Sequence, residues 1–582
     1  MSLLNKVTGK ELKGMLGKAN SRWVLYLLAV LAVYFSLSHL AHCIQVFYES
    51  SSAMHLRRWL DAFLLAYPLW WMRKRTWVSA WFGLVCIYLL TIIWYFRTYA
   101  TIMPLSSYLM IENTDGLANY VVGSLSWQDL GIVCPVLFFV LFYVWKGWQW
   151  GKPISFSFKA GICLILIGLI SLPYWPNTRP AWMQPSSMFN IVGPRAFKEF
   201  GLVNFWIYQI SQMRPVSSAE KKLADTFVKH LNWQGVELPA SKQPNLILIL
   251  VESLQSWAVG LRHQGVEVTP VMNELVRHPH TVYFPHVVSQ VKDGRSSDAQ
   301  LIINTGLLPL NTRAAASLFA DNVFPSLASE FARRGYESAS FICDEKDFWN
   351  QGRTTVAYGF HRLFDKLQQD GDKRVADSLL FAATLPRLKE LKQPFYAQVV
   401  TYSTHMPYDK VQQPGSALMQ GKFSSEEVRN YLVAVQLFDK RLGEFLDVLK
   451  KQDMYDQSII VLVGDHEQVP YHLYEGRAEC QAADCTVPFM ILNCPLTSLH
   501  TEEVVGQVDI YPTLLQVMGV TDALFPGLGE NLFGDSVSGV AHYRTGQEAV
   551  RPGKVVADSV RDYRKKLWKV SDILLRMNYF AE

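Results

Sequence analysis

The sequence lacks the concentrated positive charge that proteins use to bind nucleic acid. Its formal net charge is only +5 over 582 residues, and it contains no lysine- and arginine-rich block and no basic stripe interleaved with aromatic residues. Binding to a phosphate backbone needs such a footprint. Nucleic acid is therefore not an expected partner.

Internal repeats, low-complexity segments, the zinc-protease motif HExxH and the CxxC motif are also missing. Among the eight cysteines, Cys480 and Cys485 flank a short polar segment. That spacing allows a small disulfide loop in an oxidising compartment, and two free thiols are the alternative. A zinc site is not expected there, because no second CxxC and no pair of histidines accompanies these cysteines.

Charged residues are few, at 18%, whereas hydrophobic residues reach 50% and aromatic residues 13%. The apolar excess lies in the first third of the chain, in five stretches at 23–46, 60–72, 77–96, 130–145 and 160–174. Several approach the roughly 20 apolar residues that cross a bilayer. Buried helices of a soluble domain are the alternative, but nothing nearby could coat so many apolar helices with a polar surface. We expect a transmembrane domain of about five helices over residues 1–175.

The basic residues of the short loops predict the orientation of this domain. They concentrate in the N-terminal tail, in the loop at 73–75 and in the segment 146–159, which lie on one side if all five stretches span. Arg57 and Arg58 on the opposite side are a minor exception. The pattern predicts a multi-pass membrane protein with its later residues outside the cytoplasm. The mixed segment 103–127 is interpreted as an interfacial element on the outer face.

After a predicted linker with juxtamembrane helices at 176–243, the pattern changes to that of an α/β domain over 244–582. Apolar runs at 245–251, 338–342, 395–401, 458–463 and 489–492 alternate with helical stretches such as 324–334 and 426–451. Alternating strands and helices favour a mostly parallel sheet covered by helices on both faces. The last stretch, after about residue 535, is expected to add strands and a closing helix. Ligands bind such sheets beyond the carboxyl ends of the strands.

Two of these runs end in candidate metal ligands. The run 245–251 leads into Glu252, and the run 458–463 leads through Gly464 into Asp465 and His466. Carboxylate and imidazole groups at one sheet edge suit a divalent cation. Taken singly, Glu252 could be a helix N-terminal acid and Asp465-His466 a turn. Their shared position at strand ends favours a metal site.

A third segment, Asp293-Gly294-Arg295-Ser296-Ser297-Asp298, is typical of a turn that opens a helix. A hydroxyl there lies among free backbone N–H groups, which favour an anion such as phosphate. Contact with a metal lowers the pKa of such a hydroxyl and makes it a nucleophile. An ordinary serine N-cap is the alternative.

Taken in order, several short motifs resemble those of the lipoteichoic acid synthase family, which belongs to the sulfatase-like alkaline phosphatase superfamily. They are LILVESL at 248–254, GRSSD at 294–298, FWN at 348–350, YGF at 358–360, FD at 364–365, THMPY at 404–408, GDH at 464–466 and QVDIYPT at 507–513. The resemblance covers about residues 245–530, and the five-helix anchor also matches the family layout.

The resemblance implies a multi-pass enzyme of a bacterial inner membrane with its catalytic domain in the periplasm. It also implies transfer of glycerol phosphate from phosphatidylglycerol through a covalent intermediate. By position, Ser296 is the nucleophile, and it binds one divalent cation together with Glu252, Asp465 and His466. His405 holds the substrate phosphate or serves the leaving group. The cation implied is Mn²⁺, with Mg²⁺ or Zn²⁺ as alternatives. The partners implied are a phospholipid donor, the bilayer and an extracytoplasmic glycan, lipid or polymer acceptor.

Two positions depart from the family pattern. The nucleophile is Ser296 where the family has threonine, and this leaves Ser297 as a competing assignment. Gln351 stands where the family has an arginine two residues past Trp349, and Arg353 is near enough to replace it. We therefore expect Trp349 and Arg353 to bind substrate, and the donor head group to be glycerol phosphate or phosphoethanolamine.

Two other functions compete with this interpretation. A sulfatase needs the activation motif C/S-x-P-x-R, and Ser296 is followed instead by the residues SDAQ. A non-catalytic lipid-sensing module on the same scaffold predicts a broken metal site. The presence of all four candidate ligands argues against it.

Overall fold

The structure, a computed structural model, describes residues 21–44, 52–72, 74–99, 102, 103, 105, 108, 124–146, 156–172, 185, 188, 189, 193–211, 215–233, 235, 243–310, 314–346, 348–367, 373–406, 408 and 416–581. Contacts divide the chain into two compact units, which separate in sequence between residues 214 and 215. This division falls inside the segment that the sequence predicts as a linker.

The first unit is helical. Its main described helices are α1 (Ser21–Cys43), α2 (Ser52–Ala66), α3 (Arg75–Tyr99), α4 (Asp129–Lys146), α5 (Phe156–Ser171) and α6 (Gly193–Ser211). Trp23–Cys43 and Arg75–Arg97 are long and apolar enough to cross a membrane, whereas Asp129–Trp145 and Lys159–Ile170 are apolar but shorter. The predicted stretch 60–72 covers the end of α2 and a 3₁₀ turn at Tyr67–Trp70. Among the described residues, two spans are thus found by length and composition, and five crossings stay a prediction.

Most of the predicted interfacial element at 103–127 lies outside the described residues. Within the first unit, the buried carboxylate of Asp61 marks a break in α6. Asp61 accepts the N–H groups of Leu202 at 2.7 Å and Val203 at 3.2 Å. Gly201 takes a φ of 84° there, and a Cβ atom on it would lie 2.2 Å from Asp61 Oδ2. Glycine is needed at position 201 because the backbone has a positive φ and the Asp61 carboxylate occupies the space of a side chain.

The second unit contains an eight-stranded sheet in the order β10-β4-β9-β8-β1-β7-β5-β6. Its strands are β1 (Asn245–Val251), β4 (Val282–Val288), β5 (Glu337–Ile342), β6 (Arg362–Phe364), β7 (Phe395–Val400), β8 (Ser458–Gly464), β9 (Thr486–Leu492) and β10 (Val505–Gly506). Two small hairpins accompany it: β2 (Arg262–His263) with β3 (Val266–Glu267), and β11 (Val540–His542) with β12 (Glu548–Val550).

The central strand β1 explains why a continuous apolar run becomes a strand. Leu246, Leu248 and Leu250 belong to one buried cluster, and Ile247 and Ile249 to another. Successive side chains of a strand point to opposite faces, so both faces of β1 must be covered. The predicted α/β class and mostly parallel sheet are therefore correct for this unit.

The strand β9 runs antiparallel to both of its neighbours, β8 and β4, which makes the sheet mixed. An apolar run buried on both faces has the same appearance in either direction, so its sequence could not predict this reversal. The sequence analysis also missed β4, which contains Pro285 and a register shift between Phe284 and Val287. The two-residue β10 gives too little periodicity to detect.

The helices of the second unit cover the sheet. They are α7 (Ser218–Lys229), α8 (Pro270–Arg277), α9 (Ser296–Thr305), α10 (Ala315–Leu318), α11 (Leu327–Ala332), α12 (Gln351–Ala357), α13 (Lys373–Glu390), α14 (Glu426–Lys451), α15 (Tyr471–Glu475), α16 (Ile510–Val517) and α17 (Asp558–Met577). Residues of α9, α16 and α17 pack in the cluster on one face, and residues of α8, α13 and α14 in the cluster on the other. The closing helix is thus α17, after the extra strands β11 and β12.

Candidate functional site

The candidate residues follow the carboxyl ends of strands that run in the same direction. Glu252 follows β1, Asp465 and His466 follow β8, and the loop with His405 follows β7. Ser296 follows β4, which is antiparallel to β9 and therefore parallel to β8. One edge of the sheet consequently brings together groups that are far apart in sequence.

Backbone hydrogen bonds fix Glu252 and Asp465 in this edge. The N–H of Glu252 donates to Thr401 Oγ1 at 3.0 Å. The N–H groups of Ser253 and His466 both donate to Asp465 Oδ1 at 2.7 Å. Ser253 adopts a positive φ of 52°, a strained conformation for a residue other than glycine. The turn after β1 is thus held in place by the carboxylate that follows β8.

Glu252, Asp465 and His466 form a group suited to a metal ion. Each offers one ligand atom, and these atoms lie within 4.8 Å of one another. All three side chains are buried. Asp465 Oδ2 has no hydrogen-bond partner in the described part of the protein. A buried carboxylate oxygen without a partner is costly unless a cation compensates it, so the residues present fit a divalent ion.

The imidazole of His466 is oriented for such a role. Its Nδ1 lies 3.1 Å from the carbonyl oxygen of Glu467, and its Nε2 lies 3.4 Å from Glu252 Oε1. A proton on Nδ1 donates to that carbonyl and leaves the Nε2 lone pair facing the carboxylates. Burial lowers the pKa of His466, which favours the neutral imidazole that a metal requires.

The two carboxylates have opposite protonation preferences. Burial opposes ionisation of Glu252, but nearby His466 and His405 and hydrogen bonds from Ser253 and Ser296 more than offset it, so its pKa is lowered. Burial and the negative charge of Glu252 raise the pKa of Asp465 well above its ordinary value. Two buried carboxylates this close cannot both ionise readily without a cation.

The structure separates the two serines that compete for the role of nucleophile. Ser296 is partly exposed, and its hydroxyl donates to Glu252 Oε2 at 3.0 Å. The hydroxyl of Ser297 is buried and donates to the carbonyl oxygen of Gly294 at 2.7 Å. Of these two serines, Ser296 is therefore the one whose hydroxyl faces the group of metal-ligand atoms.

The turn before Ser296 is shaped by Asp298. Its Oδ2 accepts the N–H groups of Lys292 at 3.0 Å and Gly294 at 2.9 Å. A Cβ atom on Gly294 would lie 2.2 Å from Asp298 Oδ1, so a side chain there would displace the carboxylate. Arg295 takes a φ of 47° as α9 begins. This strained turn presents the next residue, Ser296, at the first position of the helix.

His405 lies on the loop after β7. This loop contacts the backbone of Glu252. Thr404 Oγ1 donates to the carbonyl oxygen of Glu252. The His405 ring stacks on Tyr402 with a centroid distance of 5.3 Å. Asp377 Oδ1 accepts the N–H groups of Tyr402 at 2.7 Å and Ser403 at 3.1 Å. A buried acid from α13 thus holds the loop that carries the histidine.

Trp349 and Arg353 occupy different environments. Trp349 and Asn350 have positive φ values of 51° and 53°, and Asn350 Nδ2 donates to Ala316 O at 2.9 Å, in a helix that contacts α9. The Arg353 side chain is 56% exposed, and its Nε bonds Asp321 Oδ1 at 2.9 Å. Gln351 is buried instead, and its Oε1 has no hydrogen-bond partner among the described residues. The structure thus connects the Trp349 segment to α9 through α10, and it pairs Arg353 with Asp321 on an exposed surface.

The sequence analysis missed a buried group next to the site. Glu467 Oε1 accepts the Tyr543 hydroxyl at 2.6 Å and lies 3.3 Å from Arg544 Nε and 3.8 Å from Arg295 NH1. Burial opposes its ionisation, but the two arginines lower the pKa of Glu467 to about 2. The position of Glu467 next to His466 could have indicated that it lies near the site. Nothing in the sequence connects Arg544 to Glu467.

Comparison with known proteins gives a family for the second unit. The sulfatase family model matches residues 244–520. The chain is 28% identical over 411 residues to lipoteichoic acid synthase 2 of Bacillus subtilis, covering 66% of this chain and 62% of that protein. It is 25% identical over 533 residues to lipoteichoic acid synthase of Staphylococcus aureus, covering 85% of this chain and 81% of that protein.

Among solved structures, the lipoteichoic acid synthase LtaP from Listeria monocytogenes aligns with a TM-score of 0.47 and 23% identity, over 61% of this chain and 98% of that chain. The C-terminal periplasmic domain of EcEptC from Escherichia coli aligns with a TM-score of 0.42 and 16% identity, over 57% of this chain and 99% of that chain.

Proposed function

Because the chain is a lipoteichoic acid synthase-like protein of the alkaline phosphatase superfamily, we propose that it transfers phosphoglycerol from phosphatidylglycerol to an extracytoplasmic glycan, lipid or polymer. The reaction uses one divalent cation, most simply Mn²⁺, and a covalent phospho-Ser296 intermediate. The first unit anchors the enzyme in the membrane through five helices, and the second unit works on the periplasmic side.

The contact between Ser296 and Glu252 is the observation that carries this proposal. The Ser296 hydroxyl points at a buried carboxylate that belongs to the Glu252, Asp465 and His466 group. Its neighbour Ser297 is occupied by a local hydrogen bond. A plain N-cap would direct its hydroxyl at its own helix, so this orientation supports a nucleophile.

Glu252, Asp465, His466 and Ser296 hold the cation in this proposal. When bound, the cation supplies positive charge to the phosphate oxygens and lowers the pKa of a coordinated hydroxyl. The remaining work falls to the protein. Glu252 Oε2 orients the Ser296 hydroxyl and accepts its proton as Ser296 attacks, and the turn held by Asp298 fixes the attacking oxygen in one position.

Transfer then takes place in two balanced steps. Ser296 Oγ forms a bond to phosphorus while the bond to the diacylglycerol oxygen breaks, and His405 gives that oxygen a proton. In the second step the acceptor hydroxyl gives its proton to His405 and bonds to phosphorus, while the bond between phosphorus and Ser296 Oγ breaks and Glu252 returns the proton to Ser296. Dividing the transfer lets one site use a lipid donor and then a different acceptor. Stacking on Tyr402 and the loop held by Asp377 position His405 for both steps.

Phosphoethanolamine is the alternative head group, and one observation favours keeping it. Gln351, at the family's arginine position, is buried and neutral, and the nearby Arg353 pairs with Asp321. A site with one positive charge fewer has less electrostatic preference for an anionic donor over a zwitterionic one.

The experiment is a donor comparison with the full-length protein in lipid nanodiscs. Acyl-labelled phosphatidylglycerol and phosphatidylethanolamine are supplied separately with Mn²⁺, and labelled diacylglycerol is measured. We expect release from phosphatidylglycerol that disappears in Ser296→Ala. Release from phosphatidylethanolamine alone would replace the head group in the proposal. Release from neither lipid would overturn the transferase proposal itself.

A further inference from the structure

A second set of metal-ligand atoms lies outside the active site, in the connection between β8 and β9. His472, Cys480 and Asp484 each offer one ligand atom, and these atoms lie within 4.8 Å of one another. Cys485 lies outside this group of three, but its Sγ is 3.3 Å from Cys480 Sγ, so a movement of the Cys485 side chain would add a second sulfur. Thiolate, imidazole and carboxylate are the donors that Zn²⁺ takes in proteins.

His472 provides an independent sign of a ligand. Its side chain is only 9% exposed, and its Nδ1 has no hydrogen-bond partner in the part of the chain that the structure describes. A buried ring nitrogen without a partner destabilises the folded protein. Coordination of an ion would satisfy it.

Asp484 is already oriented as a ligand. Arg477 NH2 bonds Asp484 Oδ1 at 2.6 Å, and the Gln481 N–H donates to Oδ2 at 2.7 Å. Each carboxylate oxygen keeps a further lone pair for a metal. Outer contacts of this kind fix the direction of carboxylate ligands in metal sites.

We propose that His472, Cys480 and Asp484, with Cys485 as the fourth donor, form a structural Zn²⁺ site. The site fixes the chain between the active-site residues after β8 and the strand β9. The Cys485 carbonyl oxygen accepts the Ser289 N–H at 2.9 Å, and Cys485 packs in one apolar cluster with Tyr543. Tyr543 in turn donates to Glu467, the neighbour of His466. An ion here therefore braces one wall of the active site.

The sequence argument against zinc considered only partners that are close in sequence. It found no second CxxC and no histidine pair, and the segment from His472 to Cys485 matches no such spacing. The fold supplies what the spacing lacks, because α15 and the turn at Ala482–Asp484 bring His472 and Asp484 to Cys480. A Cys480–Cys485 disulfide is the competing state, since it removes both thiolates.

Cobalt titration of the full-length protein detects the site, and the same titration without reductant gives no band where the disulfide has formed. The protein is reduced with a thiol-free reductant, freed of metal and titrated with Co²⁺ under argon. A sulfur-to-cobalt charge-transfer band arises only at a site with thiolate ligands, and the proposed active-site ligands contain no sulfur. We expect a band that saturates at one Co²⁺ per chain, is displaced by Zn²⁺ and persists in Asp465→Asn.

Matched variants identify the residues that give rise to the band. Cys480→Ser should weaken the band and the double variant Cys480→Ser, Cys485→Ser should abolish it, and His472→Ala and Asp484→Asn should each weaken Co²⁺ affinity by about tenfold or more. Cys494→Ser, at a buried cysteine outside the cluster, should leave it unchanged. A reduced wild-type protein without the band, or a double variant Cys480→Ser, Cys485→Ser that retains it, would overturn the proposal. Because the readout is spectroscopic, it does not depend on the proposed transferase activity.

Discussion

The hydroxyl of Ser296 lies 3.0 Å from Oε2 of Glu252, although 44 residues separate the two in sequence. The hydroxyl of Ser297, one residue further on, is turned away and bonds Gly294. This pair of orientations distinguishes a nucleophile from its neighbour and gives the sharpest test of the covalent mechanism.

Ser296→Ala should lower the rate of diacylglycerol release by several orders of magnitude, because no other described hydroxyl at this turn faces the ligand group. Ser297→Ala should retain substantial turnover and lose about 1 kcal/mol of stability, the usual value of one buried hydrogen bond. Release rates and thermal unfolding of both variants are the measurements. Normal turnover in Ser296→Ala with an inactive Ser297→Ala would move the assignment by one residue.

Asp465→Asn should remove bound metal and activity together. The amide keeps an oxygen for the N–H groups of Ser253 and His466, so the turn persists, but the negative charge is lost. Equilibrium dialysis followed by elemental analysis gives the Mn²⁺ content of each variant. The same measurement on Cys480→Ser shows how much of the bound metal belongs to the proposed zinc site. Unchanged Mn²⁺ content in Asp465→Asn would remove Asp465 from the ligand set.

Asp377 should make the stability of the protein depend on pH. Burial, aided by the charge of Glu252, raises the pKa of Asp377 to about 6 despite the hydrogen bonds from Tyr402 and Ser403. Folding raises this pKa, so the folded protein favours the protonated form of Asp377. The contribution of Asp377 to the free energy of unfolding is therefore fully present below pH about 4, and it is lost as the pH rises through about 6.

Asp377→Asn mimics the protonated acid, so its advantage over wild type should grow between pH about 4 and about 7 to the order of 1–3 kcal/mol. Thermal unfolding across that range is the measurement. Asp439→Asn tests the same effect at a second site, because burial also raises the pKa of Asp439 to about 6. Its two oxygens accept the N–H groups of Val271 and Met272 separately, so the amide loses one of these hydrogen bonds at every pH, and only the pH-dependent part of the difference is compared. A difference from wild type that does not vary with pH would contradict the raised pKa.

Two ion pairs of contrasting burial should differ in their effect on stability. Arg564 binds Asp509 through two hydrogen bonds of 2.7 and 2.6 Å, with side chains only 2% and 0% exposed. Arg564→Ala leaves a buried charge unpaired and should cost about 3–5 kcal/mol. Arg353→Ala breaks the exposed pair with Asp321 and should cost about 1 kcal/mol or less. Denaturant unfolding measures both losses of stability. Equal losses would show that burial does not determine how much each ion pair contributes.

Arg353→Ala also tests the substrate role predicted from the sequence. Since the Arg353 guanidinium is paired with Asp321 on an exposed surface, we expect KM for phosphatidylglycerol to stay close to the wild-type value. A large increase in KM with an unchanged folded fraction would restore Arg353 as a phosphate-binding residue. Gln351→Arg is the complementary variant, and it should increase the preference for phosphatidylglycerol over phosphatidylethanolamine.

The side of the membrane on which the C-terminus lies depends on whether the number of crossings is odd or even. Five crossings place the C-terminus opposite the cytoplasmic N-terminus, whereas the two spans found by length and composition would return it to the same side. A reporter active only in the cytoplasm, fused after Glu582, should therefore be silent, and one active only outside should be active. The reverse pattern would show an even number of crossings.

The sequence by itself determined the apolar segments, the class of the second unit and the residues that end its strands. Continuous apolar runs such as Asn245–Val251 must be covered on both faces, and the polar residue that follows must lie at the sheet edge. Only the tertiary structure decided which of these residues meet, the reversal of β9, the outward position of Arg353 and the approach of His472 to Cys480. Ser253 bonds Asp465 across 212 residues. Such contacts depend on strand order and packing, which local sequence patterns do not encode.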